Sequence, residues 1–260
     1  MAEAGGLYYE WHGPEDAPPL ILSAGMGGSG RYWLPNLPAL AESFRVILYD
    51  HRGTGRSDRT VTPRIESIGD DIRLLMDALG IERAAILGHA IGGMGGLSMA
   101  LDTPERVDRL VVVNGWGRPD PYIARCFQAR LALLRAYGPG RYVDAQPIFL
   151  FPPQWISDNH ARLEEEAVHH VAGFPADMVE ARILEALRFD LIDRLAAAAL
   201  DMPVLLLASD DDALVPPGCS RALAQVIPRA QLVRMPWGGH ACNVTDPPGF
   251  EARVLAFLGS

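Results

Sequence analysis

Short apolar runs separated by helical periods organise this chain. LILSA (20–24), RVILYD (45–50), AAILG (84–88), RLVVVN (109–114), VLLLAS (204–209) and QLVRM (231–235) are rich in Leu and β-branched residues, and read as buried strands. Between two of them Ile65, Ile68, Ile72, Leu75 and Leu79 recur at spacings of three and four, with Asp70, Asp71, Arg73 and Asp77 filling the gaps. That is the stripe of an amphipathic helix. Alternating strands and helices predict an α/β fold: a mainly parallel central sheet with helices on both faces. The alternation stops from about 115 to 199, where no run reads as a strand. Helix-like stretches such as ARCFQARLALLRAYG and the turn-rich FPPQW take over. We expect a core made of 1–115 and 200–260, with a helical cap over 116–199. Such a cap would sit above the carboxyl ends of the strands, where open α/β sheets place their ligands. No internal repeat or low-complexity segment is evident, and the alanine run at 196–200 reads as the end of a helix.

Composition supports a globular reading. With 260 residues, 49% of them hydrophobic, the chain can bury a large core as one domain with an insertion. The formal charge of −9 is spread along the sequence and opposes both a phosphate backbone and an anionic membrane surface. Nucleic acid and membrane are therefore excluded as expected partners, leaving a small-molecule substrate. The oligomeric state stays open, a homodimer included. Cys126, Cys219 and Cys242 are odd in number and lack C-x-x-C spacing, which argues against a disulfide framework or thiolate metal site. They read as reduced packing residues, with Cys242 placed to line a pocket beside His240. Glu166 and His170 stand at helical i,i+4 spacing with no third ligand, so a solvated helix face is expected and no metal or cofactor. The first residues, MAEAGGLYYEWHG, show no basic segment followed by an apolar one, and no stretch of about 18 apolar residues occurs. A cytoplasmic location is the expectation.

The chemistry centres on LGHAIGGMGG (87–96). A strand ending near Gly88 and a helix starting near Ile91 enclose position 90 in a sharp turn that Gly88 and Gly92 permit, the shape of a nucleophile elbow. At its apex, where a serine hydrolase carries its nucleophile, stands Ala90. The other parts follow in order. SAGMGGSG (23–30) supplies a glycine-rich loop, and the backbone N–H groups of Met26 and Ile91 are the candidate oxyanion donors. YDHRGTGRSD (49–58) is suited to holding a turn beside the site. SDDDALVPP (209–217) places acids at a strand end; Asp212, four residues before Pro216, is the candidate orienting carboxylate, with Asp210 and Asp211 as solvated turn residues. PWGGHACN (236–243) places His240 after the last strand as the candidate base. Ser23, Ser29 and Ser98 occupy no elbow and are rejected as displaced nucleophiles, and His89 reads as a packing or pocket residue. Candidate substrate contacts are Asn114, Trp116, Trp237 and Arg118. Arg125, Arg130 and Arg135 are further cap cations able to attract a small carboxylate or carbamate, against a plain solvent-facing role. Phe149, Phe151 and Trp155 suit core or pocket equally.

The order elbow, acid, histidine resembles the α/β-hydrolase family over nearly the whole chain. The words SAGMGGSGRYWLPNL, YDHRGTGRSD, GHAIGG, VNGW, RCFQAR, AQPIFLFPPQW and GGHACNVTDP resemble more narrowly the hydrolases of the Rut pyrimidine-utilisation pathway. Those proteins also carry alanine at the elbow. The resemblance implies hydrolysis of a labile intermediate of uracil breakdown, carbamate or aminoacrylate, without a cofactor. Ala24 departs from the general hydrolase pattern, which has histidine before the oxyanion-loop glycine. Two other readings stay open: a non-catalytic binding protein on this fold, and a serine esterase or lactonase disabled by Ser-to-Ala replacement at Ala90.

Overall fold

A computed structural model describes residues 2–60 and 64–260. Its eight strands are β1 (Ala2–Ala4), β2 (Leu7–His12), β3 (Pro19–Ser23), β4 (Arg45–Tyr49), β5 (Ala84–His89), β6 (Val107–Val113), β7 (Val204–Ser209) and β8 (Ala230–Met235), in the spatial order β1-β2-β4-β3-β5-β6-β7-β8. From β4 to β8 every neighbouring pair is parallel, and each of those six strands coincides with an apolar run of the sequence. The first two strands, β1 and β2, carry no such run, and β2 joins the rest of the sheet antiparallel to β4. They form an antiparallel hairpin, Ala4 opposite Leu7, closed by Gly5 and Gly6 at φ 56° and 82°. Two positive φ angles are what a tight hairpin requires and only glycine supplies freely. The Gly-Gly pair is therefore the sequence feature that marks this hairpin.

Alternation along the central strands divides the core in two. Ile21, Ile47, Ile86, Val112 and Leu206 point to one face; Leu22, Leu48, Leu87, Val111 and Leu205 point to the other. All are almost fully buried. Strands covered on both sides must be apolar at every position, which explains the continuous runs. The helices are α1 (Leu37–Ala41), α2 (Glu66–Ala78), α3 (Ile91–Asp102), α4 (Pro121–Leu150), α5 (Pro153–Asp158), α6 (His160–Ala172), α7 (Ala176–Ala186), α8 (Ile192–Ala198), α9 (Pro217–Val226), α10 (Cys242–Thr245) and α11 (Pro247–Leu258). Helices α2 and α3 cover the first face; α1 and α11 cover the second. Helices α4 to α8 form the insertion between β6 and β7, and α4 breaks at Gly138, φ 76° and ψ −174°. Among the described residues no helix is long and apolar enough to cross a membrane.

Candidate active site

Parallel strands bring their carboxyl ends to one edge, and five of the loops leaving that edge carry the residues singled out above. The loop after β3 holds Met26, the end of β5 holds Ala90, the end of β6 holds Asn114, and the loops after β7 and β8 hold Asp212 and His240. At the elbow Ala90 has φ 48° and ψ −116°, a conformation that costs a non-glycine residue about 1–3 kcal/mol. It is held there from both sides: Ala90 N–H donates to Val113 O at 2.8 Å, and Ala90 O accepts from Met94 N at 3.0 Å. The turn is as tight as the sequence requires. A Cβ on Gly92 would stand 2.4 Å from the carbonyl oxygens of Ser23 and Ala24, and one on Gly88 2.4 Å from Gly93 N. Among the described residues the N–H groups of Met26 and Ile91 donate to no protein acceptor. Arg182, buried and rooted in α7, donates to Met26 O at 2.9 Å and to Arg52 O at 2.8 Å, and burial lowers its pKa to about 10.

Asp212 and His240 meet in the interior. The ring Nδ1–H donates to Asp212 Oδ2 at 2.8 Å, and both side chains are almost wholly buried. Asp212 Oδ1 accepts from Leu214 N at 2.7 Å and Val215 N at 2.8 Å, so the carboxylate is fixed by backbone as well as by the ring. A carboxylate can only accept, which puts a proton on Nδ1, so that in the neutral ring the lone pair is on Nε2. Two side chains clamp the His240 carbonyl, and a third fixes the residue before it. Asn114 Nδ2 donates to His240 O at 2.8 Å, while Asn114 Oδ1 accepts from Ser209 N at 2.9 Å. His89 Nε2 donates to the same His240 O at 2.9 Å, and Asp211 Oδ1 accepts from Gly239 N at 2.8 Å. The His89 ring lies between Tyr32 and His240, with centroids 4.9 and 4.6 Å away. Burial first, and the neighbouring His240 second, hold its pKa well below the ordinary histidine range, so it is neutral.

Not every singled-out residue joins this group. Asp210 pairs with Arg234 at 2.6 Å; Asp211 is exposed but organises the Gly238–Gly239 turn and is not merely a solvated turn residue. Both amide ends of Asn114 are consumed as a clamp. Trp116 is buried against Phe127, with ring centroids 6.0 Å apart and Nε1 unpartnered. Trp237 is 41% exposed. Arg118 is held at the surface by Asp190 and Asp193, at 2.5 and 3.2 Å. Cys242 is buried beside Asn114, and burial raises its thiol pKa strongly. Ser23 is buried in a chain with Tyr49 and His51, at 2.8 and 3.0 Å, and burial keeps His51 neutral. Glu166 accepts from Arg162, and no group of three metal-ligating side chains occurs among the described residues.

An elbow, a glycine-rich loop, an acid and a histidine meet at the carboxyl edge of this sheet, the arrangement of the α/β-hydrolase fold. The chain belongs to the α/β-hydrolase family, whose model matches residues 18–247. It is 55% identical over 258 residues to a Caulobacter sp. (strain K31) protein named "Putative carbamate hydrolase RutD", covering 97% of this chain and 96% of that one. Among solved structures it is similar to a hydrolase from Pseudomonas aeruginosa PA01, with 31% identity, a TM-score of 0.86 and coverage of 98% and 94%. It is similar also to the enol-lactonase of Burkholderia xenovorans LB400, with 26% identity, a TM-score of 0.88 and coverage of 100% and 99%.

Proposed function

We propose that this protein hydrolyses a small labile acid, carbamate or the enamine acid aminoacrylate, with water activated by His240 and Asp212 and no covalent serine intermediate. One observation carries the reading: a complete, buried Asp212–His240 pair accompanies an elbow that presents only a methyl group at Ala90. The relatives' name supports the substrate class. In serine hydrolases, loss of the nucleophile costs on the order of 10⁶ in kcat, about 8 kcal/mol, while oxyanion donors and binding retain roughly 10³ to 10⁴ over water. Stable esters and amides lie beyond that residue of catalysis. Compounds that decompose unaided lie within it.

The step assigned to the site is ordinary general-base chemistry. His240 Nε2 takes a proton from water as the oxygen adds to the carbon bearing nitrogen, which is the carboxyl carbon of carbamate or the imine carbon of tautomerised aminoacrylate. Asp212 stabilises the imidazolium. With carbamate the Met26 and Ile91 N–H groups face the negative oxygens of the tetrahedral adduct, and the imidazolium gives its proton to the departing ammonia. With the imine the imidazolium protonates nitrogen to give a carbinolamine, whose hydroxyl proton then passes through His240 to nitrogen as ammonia leaves and the aldehyde forms. The products are bicarbonate or a semialdehyde acid, each with ammonia. The test is a time course of ammonia release from freshly generated carbamate and aminoacrylate, with and without protein. Faster release with protein from at least one is expected. Identical curves for both would replace this reading with that of a binding protein.

A further inference from the structure

Two cap arginines are buried, Arg130 and Arg182, and they differ in their partners: Arg182 donates to two backbone carbonyls, those of Met26 and Arg52. Arg118, Arg135 and Arg162 are half-exposed and each is paired with a carboxylate. Arg125 is exposed. Arg130 is 2% exposed and pairs with no carboxylate among the described residues. Its single hydrogen bond runs from Nη2 to Tyr142 Oη at 2.5 Å, and Nε is buried with no partner. Three aromatic rings surround the guanidinium, those of Tyr142, Phe149 and Phe127, at 5.0, 5.7 and 5.8 Å from Cζ. Faces of aromatic rings recover part of the cost of burying a cation but give its N–H groups no acceptor. A buried charge without a counter-charge is strongly unfavourable, and unlike Arg182 the Arg130 guanidinium has an N–H group without an acceptor, which an anion from outside would supply.

The neighbours of Arg130 adjoin the elements that carry the site. Cys126, one turn before Arg130 on the same face of α4, donates to Ala213 O at 3.7 Å, next to Asp212. Burial raises the Cys126 thiol pKa, and the charges acting on it include Arg130, which lowers it, and Asp212, which raises it. Phe149 adjoins Leu150, whose carbonyl accepts from Ala241 N at 3.0 Å, beside His240. Phe127 packs on Trp116, in the same core cluster as Ala90. We infer that Arg130 is a substrate-recognition residue, whose free N–H edge, with the Tyr142 hydroxyl, binds the carboxylate of a short organic acid against the cap. An Nε/Nη edge accepts a carboxylate through two parallel bonds. The inference rests on the hydrolase reading and narrows it. Carbamate would be attacked at its own carboxyl carbon, whereas a carboxylate anchored on the cap leaves a different carbon facing His240. A three-carbon enamine acid meets that condition.

Acrylate, a stable three-carbon acid, and acrylamide, its neutral counterpart, are the probes. Calorimetric titration of the wild-type protein should show acrylate binding at least about tenfold tighter than acrylamide. Arg130→Met should weaken acrylate about tenfold or more, as expected for loss of hydrogen bonds to a charged group, and leave acrylamide unchanged. Arg130→Met should not lower Tm, since methionine fits among aromatic rings and removes an uncompensated charge; acrylate should raise Tm of the wild type but not of the variant. Equal affinities for acrylate and acrylamide in the wild type, or an acrylate affinity that survives Arg130→Met, would overturn the inference. The wild-type comparison decides even if the variant fails to fold. His240→Ala should still bind acrylate, so a failure of hydrolysis and a failure of anion recognition are read separately.

Discussion

Replacing Asp212 by asparagine changes one atom and, on this geometry, reverses the direction of one hydrogen bond. Oδ1 of Asp212 accepts from two backbone N–H groups, those of Leu214 and Val215, and Oδ2 faces the Nδ1 of His240 at 2.8 Å. An amide group set with its NH2 toward two N–H donors would lose both bonds, so the asparagine must keep its oxygen there and turn its NH2 to the ring. His240 must then accept at Nδ1 and carry its proton on Nε2, the tautomer that cannot take a proton from water. The expected loss of acceleration is about 10²- to 10⁴-fold, or the whole of it where the acceleration is smaller. Stability should respond far less. Three bonds lose charge assistance, about 1 kcal/mol each, and the lower desolvation cost of an amide offsets part of this. A net change within about 2 kcal/mol corresponds to no more than roughly 8 °C in Tm for a chain of this size. The assay pairs the ammonia-release rate with a thermal melt. A folded Asp212→Asn protein that keeps the wild-type rate would refute the role given to the Asp212–His240 pair.

Further outcomes follow from the same geometry. Ala90→Ser restores a hydroxyl to an intact elbow and should give weak hydrolysis of nitrophenyl acetate together with labelling by a fluorophosphonate; a folded variant showing neither would mean that His240 does not serve position 90. His51 and His89 are buried neutral with pKa values well below the unfolded value of about 6.5. As pH falls below that value the unfolded chain gains protons that the folded one refuses, so each histidine should subtract about 1.4 kcal/mol of stability per pH unit until its folded pKa is reached. Denaturant melts at pH 7, 6 and 5 should show a shallower decline for His51→Gln or His89→Gln than for the wild type, and parallel declines would contradict the neutral assignment.

The sequence is most readable where one physical demand dominates. Strands buried on both faces must be apolar, so β3 to β7 are visible as runs, and the elbow is visible because Gly88 and Gly92 stand where backbone meets backbone. Asp212 was legible by its place after β7, although its neighbour Asp211 has a structural task that spacing does not disclose. The clamp formed by Asn114 and His89 on the His240 carbonyl was not legible, because it joins loops 151 and 126 residues apart. Charge alone also misled: among the cap cations Arg118 is an exposed ion pair, whereas Arg130 and Arg182 are buried. A signal for this existed. Ile123, Cys126, Phe127, Arg130, Leu131 and Leu134 form one helical stripe, and a lone cation on an apolar stripe points inward.

The central claim is that His240 does chemistry in a site without a nucleophile. The direct measurement is the decay of freshly generated aminoacrylate in the presence of wild-type protein, of folded His240→Ala protein, and of buffer alone. The account predicts acceleration by the wild type and a His240→Ala curve that falls back to, or close to, that of buffer, because little else in the site can take the proton. Acceleration by His240→Ala equal to that of the wild type, or a wild-type curve that matches buffer, would contradict it.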